Sequence, residues 1–209
     1  MKFSATSGEL LKAITKVHPV VPTKSPLQIL DHLLFDVSGT TLTLTSTNLE
    51  ITMIHSIAIK GNTNGKIAVP SQLLLQTIQA LPQNTSVVFA ANIANKKIAI
   101  TTENGTYHLT GQNAEDFPKP PDLKAIHEIS IKGETLRRLV EKTSFAASDD
   151  ELRPVMTGIL LLCKSNELCA VSTDGHRLVR LIMKESGAKK ECQVIVPKKA
   201  FSILSRTIN

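Results

Sequence analysis

An internal repeat constrains the fold of this chain more than any other feature of its sequence. The segment 7–14 (SGELLKAI) resembles the segment 132–139 (KGETLRRL), which lies 125 residues further along the chain. Three more pairs of segments follow in the same order at offsets of 126 or 127 residues: 32–35 with 158–161, 42–48 with 168–174, and 67–70 with 194–197. Because the order is kept and the offset hardly changes, the sequence predicts two tandem copies of one domain of about 125 residues.

The repeat and a proline-rich segment define the predicted domain boundaries. The first domain is predicted to cover residues 1–120. The prolines of the segment 116–121 (DFPKPP) cannot continue a helix or a central strand. A linker is therefore expected at residues 121–126, followed by a second domain at 127–209.

The second copy of the repeat is shorter than the first. Its last residue, Asn209, is the counterpart of Pro82, so nothing in the second copy corresponds to residues 83–119. We therefore expect an incomplete second domain, and we expect the chain to be a natural or engineered fragment of a longer protein.

Hydrophobic periodicity and turn residues predict helices and strands in each copy. Helices are expected over residues 7–17, with Ser7 as the N-cap, from Ser71 to just before Pro82, over 133–144 and over 198–207. Strands are expected over 33–35, 41–45, 50–59, 86–90, 97–102 and 106–110, and in the second copy over 157–163, 167–172, 177–183 and 192–196. Helices that are segregated from antiparallel strands define the α+β class.

The charge and composition of the chain favour contact with duplex nucleic acid. The formal net charge is +6 and the pI is about 9.3, which suits a polyanionic partner without identifying one. The chain has six Phe, one Tyr and no Trp, whereas single-stranded nucleic acid is bound largely by stacking on exposed aromatic side chains. Any contact with DNA is therefore expected to be to the backbone of the duplex, rather than to single strands.

Cysteine usage and hydropathy predict a cytoplasmic protein. Cys163, Cys169 and Cys192 are odd in number and lack CxxC spacing, which argues against a disulfide framework or a zinc site. No apolar run approaches the roughly 18 residues of a membrane span, and the N-terminal segment lacks the apolar stretch of a secretion signal. We expect reduced core cysteines, no membrane partner, and no metal or other cofactor.

Two short segments rich in acidic residues or histidine leave a catalytic interpretation open. Asp174 and His176 are a conceivable acid and base or metal-ligand pair, and the run 149–151 (DDE) suits a magnesium-like ion. A two-metal nuclease needs several carboxylates that converge on one site, and the sequence has no GxxxxGK[ST], HExxH or GxSxG motif. We therefore predict a protein that is not an enzyme. The alternatives are a metal-dependent nuclease and a basic DNA-binding domain that binds one side of the duplex without forming a ring around it.

Several short segments carry a resemblance to a known family. The segment 173–178 (TDGHRL) is similar to the most recognisable motif of the bacterial sliding clamps, the β subunits of DNA polymerase III. Other segments resemble clamp segments in the right order: 1–3 (MKF), 114–118 (AEDFP), 152–153 (LR) with a glycine at 158, and 194–199 (VIVPKK). The resemblance covers essentially all 209 residues.

The resemblance implies a fold, an assembly and a role. Clamps of this family have three similar domains per chain, each with two helices that face a central hole. Two chains close head to tail into a homodimeric ring around duplex DNA. The ring acts as a processivity factor of the replicative polymerase in the cytoplasm, where it associates with the nucleoid. This chain is expected to lack the third domain, so ring closure is not expected for the fragment.

A ring that slides along DNA must not stop at particular sequences. Cations on the predicted helices suit such a ring, because they attract phosphates, and phosphate contacts carry no sequence information. These candidate DNA contacts are Lys12, Lys16, Arg137, Arg138, Lys142, Lys198 and Lys199. Ordinary solvated helix faces are the alternative for each of them.

The resemblance adds three further positions to the expected DNA surface. Lys24 matches a DNA-contacting arginine of the family, and Gln72 stands where clamps often carry another arginine. Arg153 belongs to a loop that resembles a DNA-contacting loop, but Pro154 and Val155 stand in place of two tyrosines.

The resemblance also implies a pocket for short peptides of polymerase subunits, the clamp loader and repair proteins. Its expected wall residues are Met156, Thr173, Gly175, His176, Arg177 and Leu178. Third-domain residues complete this pocket in the family, so it is expected to be half-built in this chain. A plain tight turn between two strands is the alternative interpretation of the same segment.

Overall fold

The computed structural model describes residues 1–120, 128–150, 152–184, 187–188 and 190–207. The chain divides into two compact units, with the boundary between residues 121 and 122. The expected linker and Glu151 lie outside the described residues. Within the described residues, no helix combines the length and the apolar character that crossing a membrane requires.

The first unit consists of antiparallel sheets and helices. In chain order its elements are β1 (Lys2–Thr6), α1 (Ser7–Val17), β2 (His32–Ser38), β3 (Thr41–Thr47), β4 (Thr52–Ala58), β5 (Lys60–Thr63), β6 (Gly65–Pro70), α2 (Ser71–Gln79), β7 (Ser86–Asn92), β8 (Lys97–Thr102) and β9 (Gly105–Thr110). One sheet has the strand order β5-β1-β7-β8-β9 and the other has the order β4-β3-β2-β6. This separation of helices from antiparallel strands confirms the α+β class.

The core of the first unit lies between its two sheets and under its helices. Phe3 of β1 and Phe89 of β7 belong to one sheet, and their ring centroids are 5.0 Å apart. Phe35 of β2 belongs to the other sheet, and its ring lies 5.3 Å from that of Phe89. Helix α1 adds the buried side chains of Leu10 and Ile14 to the same cluster. Burial of these apolar groups joins sheets and helices into one body.

Helix α1 has a different cap from the predicted one. Thr6 is the N-cap: its hydroxyl accepts a hydrogen bond from the Glu9 amide at 3.3 Å, and Glu9 Oε2 accepts one from the Thr6 amide at 3.0 Å. The prediction of Ser7 as the cap was wrong, because its buried hydroxyl donates to the Pro82 carbonyl at 2.8 Å and accepts from the Thr85 amide at 3.2 Å. Ser7 therefore ties the start of α1 to the chain that follows α2.

The second unit repeats the first helix, the four-stranded sheet and the second helix of the first unit. Its elements are β10 (Ile129–Ser130), α3 (Gly133–Thr143), β11 (Gly158–Lys164), β12 (Glu167–Thr173), β13 (Leu178–Met183), β14 (Gly187–Ala188), β15 (Cys192–Pro197) and α4 (Lys198–Thr207). Its main sheet has the strand order β13-β12-β11-β15, and β10 pairs with β14. Leu139 of α3 and Phe201 of α4 cover this sheet and form a core with Ile159, Leu161 and Leu168.

The strand register of the two main sheets follows the offset of the sequence repeat. Leu34 of β2 lies opposite Thr45 of β3, and Leu160 of β11 lies opposite Val171 of β12, 126 residues later in both cases. The strand orders β4-β3-β2-β6 and β13-β12-β11-β15 are equivalent strand by strand. The structure thus contains two copies of one folded unit.

The two copies also share a buried hydrogen bond between sheet and helix. Ser46 Oγ donates to the Val17 carbonyl at 2.7 Å in the first unit. Ser172 Oγ donates to the Thr143 carbonyl at 2.6 Å in the second. Val17 and Thr143 end their helices, where carbonyl groups have no partner within the helix. Each serine therefore satisfies a helix end that burial would otherwise leave without a hydrogen bond.

Replacing Ser172 with alanine is expected to lower the free energy of unfolding of the second unit by about 1–3 kcal/mol, because the Thr143 carbonyl loses its buried partner. Urea unfolding measures this change. The matched control is Ser165→Ala, since Ser165 is exposed in the turn between β11 and β12. Equal, small changes in both variants would show that the buried bond contributes no stability.

The last strand of the second unit is less covered than its counterpart. In the first unit, Ala68 of β6 is fully buried, and its amide and carbonyl bond to Gln112 at 3.1 and 2.9 Å. The counterpart of Ala68 in β15, Ile195, is 43% exposed. In the described part of the chain, β15 stands at the edge of its sheet and pairs with β11 alone.

Candidate functional site

A turn held by its own side chains joins β12 to β13 and contains most of the predicted pocket residues. The Asp174 carboxylate organises it: Oδ1 accepts hydrogen bonds from the amides of His176 (3.0 Å) and Arg177 (2.9 Å). Oδ2 accepts a further bond from Arg177 Nε at 2.9 Å. Thr173 Oγ1 accepts a bond from the Gly175 amide at 3.1 Å and donates one to the Arg177 carbonyl at 2.8 Å. Gly175 has a φ of +91°, in the left-handed region that favours glycine.

These hydrogen bonds lower the pKa of Asp174 to about 2. The Arg177 amide is the largest cause, the His176 amide is the next, and the Arg177 guanidinium adds to both. All three favour the carboxylate over the protonated acid. The turn therefore keeps its negative charge, and with it its shape, at neutral pH.

We expect the turn to loosen only in strong acid. A carboxyl group whose folded pKa is lowered stabilises the fold above its ordinary pKa of 3.8, and it loses that contribution as the pH falls towards about 2. In an NMR titration, the amide signals of His176 and Arg177 should move with a midpoint near 2. The variant Asp174→Asn should lack this transition. A midpoint at the ordinary value for aspartate would contradict the hydrogen bonding described above.

Exposed apolar side chains lie next to this turn. Leu178, the first residue of β13, is 65% exposed. Phe145, in a short helical turn after α3, is half-exposed, and the Arg177 guanidinium lies 5.6 Å from its ring centroid. That distance is typical of a cation–π contact. The turn thus presents an exposed apolar side chain beside the exposed polar residues His176 and Arg177, which suits a short peptide with an apolar anchor.

The loop between α3 and β11 lies beside the turn. Arg153 Nη1 is 3.8 Å from the position that a Cβ atom would take at Gly175. Asp150 holds this arginine, since Oδ2 accepts a bond from Arg153 Nε at 3.0 Å and Oδ1 accepts one from the Leu152 amide at 3.0 Å. The amide of Met156 donates to the Arg153 carbonyl at 2.9 Å. The structure therefore brings Arg153 and Met156 into one loop next to the turn.

The surroundings of Arg153 make it less suited to the expected contact with DNA. The side chain forms an ion pair with Asp150 and lies against the turn of the predicted pocket. The neighbouring apolar residues Leu152 and Val155 are largely exposed. The loop therefore exposes apolar side chains on both sides of Arg153, whereas phosphate binding requires exposed cations.

The residues proposed for DNA contact are exposed, with the exception of Lys198. The exposed ones are Lys12, Lys16, Lys24, Gln72, Arg137, Arg138, Lys142, Arg153 and Lys199. Lys198 is partly buried, and its Nζ pairs with Asp149 Oδ1 at 2.8 Å and lies 3.5 Å from the Ala147 carbonyl. Lys198 therefore ties the start of α4 to the loop before β11, and its charge is less available for phosphate.

Helix α1 separates its cations from its core residues. Lys12 and Lys16 lie four residues apart, so they share a face outside the buried stripe of the helix. Lys16 is near His55 of β4: burial is the main cause that lowers the pKa of His55, and the charge of Lys16 is the second. Of the two cations, Lys16 therefore lies near β4.

One side chain of this site was not predicted from the sequence, and two others carried an alternative interpretation as metal ligands. Phe145 was not predicted, because the sequence does not show which of the six Phe side chains are exposed. Asp150 and Asp174, considered above as metal ligands, instead accept hydrogen bonds within their own loops. Their carboxylates shape the site.

Comparison with known proteins agrees with this architecture. The family described as DNA polymerase III beta subunit, N-terminal domain, matches residues 1–121, and its central domain matches residues 130–209. A beta sliding clamp of Chlamydia muridarum is 32% identical over 181 residues, covering 87% of this chain and 49% of the relative. A beta sliding clamp of Buchnera aphidicola is 30% identical over 210 residues, covering 100% and 57%. The chain thus spans about half the length of the curated relatives it matches.

A solved structure has the same fold. The crystal structure of the DNA polymerase III subunit beta from Pseudomonas aeruginosa matches with a TM-score of 0.90 and 29% identity, covering 100% of this chain and 57% of that one. The duplicated unit of helices and antiparallel sheets is therefore a DNA-clamp fold. Within that class, the chain belongs to the family of DNA polymerase III β subunits, through the N-terminal and central domains of the family. The expected family and fold are confirmed.

Proposed function

We propose that this chain is part of a DNA sliding clamp, a processivity factor that encircles duplex DNA and holds polymerases on it. The observation that carries the proposal is the duplicated unit with a cationic helix in each copy. Helix α1 exposes Lys12 and Lys16 in the first unit, and α3 exposes Arg138 and Lys142 in the second. Repetition of one module with exposed cations is what a ring around a polyanionic rod requires.

The proposed DNA contacts suit binding without sequence preference. Base-edge contacts would arrest a sliding ring, whereas long cationic side chains attract phosphates of any sequence. Lys24 and Lys199 add exposed charge, and Gln72 adds a neutral polar group. Arg137, which also lies on α3, is a further candidate contact.

We propose that the second function is the docking of partner proteins through short peptides. Leu178 and Met156 are the proposed apolar walls, and the exposed residues Gly175 and His176 are proposed to offer their backbone carbonyls, since the amides of the turn bond to Thr173 and Asp174. The proposed partners are polymerase subunits, the clamp loader and repair proteins. In the assembled protein, the proposed ring is a homodimer in the bacterial cytoplasm, associated with the nucleoid through its DNA.

Catalysis is not part of the proposal. Both carboxylate oxygens of Asp174 accept hydrogen bonds from the turn itself, and those of Asp150 do the same in the neighbouring loop. Over the part of the chain that the structure describes, no three His, Cys, Asp or Glu side chains converge as a metal site. The geometry therefore favours a binding scaffold over a metal-dependent nuclease.

Titration of a short linear duplex with the purified chain at several salt concentrations tests the proposal. We expect weak binding that is equal for unrelated sequences and falls steeply with salt. A domain that reads bases would bind one sequence at least about tenfold more tightly than others. A nuclease would release cut products with magnesium or manganese, and Asp174→Asn would abolish them. Either outcome would replace the proposal.

A further inference from the structure

Two cysteines of the second unit lie directly opposite each other on neighbouring strands. Cys163, near the end of β11, pairs in register with Cys192, the first residue of β15. Because they are directly opposed, the two side chains project from the same face of the sheet. Both are free thiols.

The surroundings give the two thiols different accessibility. Cys163 is 1% exposed and belongs to the core of the second unit, whereas Cys192 is partly exposed. A surface recess of about 270 Å³ opens on the pair and is lined also by Lys164 and Glu191. A small oxidant therefore reaches Cys192 from solvent, and Cys163 stands directly behind it.

We propose that Cys163 and Cys192 form a thiol oxidation site that a peroxide converts reversibly into a cross-strand disulfide. Directly opposed residues in antiparallel strands have Cβ atoms about 4.5–5.5 Å apart, and a disulfide requires about 3.5–4.5 Å. The strands must therefore approach by about 1 Å. In the described part of the chain, β15 has β11 as its one neighbour in the sheet.

The reaction uses one peroxide and the two thiols. The thiolate of Cys192 attacks an oxygen of hydrogen peroxide, the O–O bond breaks, and the leaving hydroxide takes up a proton to become water. The sulfur of Cys163 then attacks the resulting sulfenic acid, the S–O bond breaks, a second water leaves, and the S–S bond forms. Together the thiols lose two electrons and two protons, and the peroxide is reduced to two waters.

The order of attack follows from the environment of the two sulfurs. Burial, followed by the neighbouring Cys192, raises the pKa of the Cys163 thiol. Cys163 is also shielded from solvent, so the more exposed Cys192 meets the peroxide first, and Cys163 gives up its proton only when it attacks the sulfenic acid.

The site is particular to the second copy of the unit. The equivalent register pair in the first copy is Val37 opposite Gly65, which has no sulfur. The third cysteine, Cys169, follows Leu168, the partner of Cys163 on β12, so it lies on the other face of the sheet. Cys169 is therefore a natural control for the proposed pair.

The test oxidises the reduced, folded chain with hydrogen peroxide and counts thiols after denaturation. We expect the count to fall from three to one and to return to three after treatment with dithiothreitol. Trypsin cuts after lysine and arginine but not before proline, so it separates the three cysteines into the peptides 143–164, 165–177 and 191–198. Mass spectrometry without reduction should show the first and third peptides linked, with a loss of two hydrogen atoms.

Cysteine-to-serine variants show which two cysteines form the disulfide. Cys169→Ser should still form the link, whereas Cys192→Ser and Cys163→Ser should each lose it. Because Cys163 is buried, Cys192→Ser at the partly exposed position is the decisive variant, and circular dichroism confirms its fold. A link that involves Cys169, oxidation of Cys192 beyond sulfenic acid without a link, a disulfide between two chains, or an unchanged count of three would each overturn the proposal.

Discussion

Replacing Lys12 and Lys16 together with glutamate is expected to lower the affinity of the chain for duplex DNA by about tenfold or more at low salt. Both side chains are exposed on one face of α1, and reversing their charge replaces attraction of phosphate by repulsion. Each lost phosphate contact also removes about one counterion from the binding equilibrium, so the slope of log affinity against log salt should become shallower by about two. Fluorescence anisotropy with a labelled duplex measures both quantities.

The matched control carries the same change of charge on a different part of the first unit. Lys97 begins β8 and Lys119 follows β9, and both are exposed. The variant Lys97→Glu with Lys119→Glu should keep most of the affinity and the original salt slope. Equal losses in the two double variants would mean that net charge alone governs binding, which contradicts a specific role for the face of α1.

Leu178→Asp is expected to weaken binding of a polymerase tail peptide by about tenfold to a hundredfold. A buried leucine contributes about 1.5–3 kcal/mol to an apolar contact, and about 1.4 kcal/mol corresponds to a factor of ten in affinity. The aspartate would also place a charge where the peptide brings an apolar group. Titration with a peptide from the C-terminal tail of the replicative polymerase of the same organism measures the effect by calorimetry or fluorescence.

The control for this variant is an equally exposed leucine outside the second unit. Leu49 is 61% exposed, compared with 65% for Leu178, and it lies between β3 and β4 of the first unit. Leu49→Asp should leave peptide affinity unchanged, and both variants should keep the circular dichroism spectrum of the original chain. An equal affinity of Leu178→Asp and the original chain for the peptide would contradict the proposed pocket.

The repeat and most secondary structure were predictable because they depend on local patterns. The helices at 7–17 and 198–207 have the predicted bounds, since an apolar stripe and neighbouring polar residues define them. The strand at 97–102 was also predicted to the residue. In these segments, local propensity and the tertiary environment favour the same structure.

Strands that depend on distant partners were not predictable in the same way. Strand β1 was missed because its five residues contain one large apolar side chain, Phe3, and because its partners β5 and β7 are far away in sequence. The single strand predicted at 50–59 is β4 alone: the Ile59 amide bonds to the Thr40 carbonyl, and the chain then crosses to the other sheet as β5. No periodicity in the sequence marks such a crossing.

In the candidate site, too, local features were predictable from the sequence and contacts between distant residues were not. The turn at 173–178 is local, and Asp-Gly predicts it without knowledge of the fold. The approach of Arg153 to Gly175 and of Arg177 to Phe145 arises because helix, loop and sheet pack together. The pairing of Lys198 with Asp149 joins residues 49 positions apart, so the sequence predicts a DNA contact at Lys198 but gives no sign of its carboxylate partner.

Photo-cross-linking to duplex DNA tests most directly whether the helix faces of both units meet the phosphate backbone. A photoreactive amino acid at Thr15 of α1 or at Glu141 of α3 lies next to the exposed cations, and one at Thr101 of β8 lies on an exposed sheet position. We predict cross-links from positions 15 and 141 to duplexes of any sequence, and none above background from position 101. Cross-linking from position 101 equal to that from the two helices, or restricted to one DNA sequence, would contradict a sliding clamp.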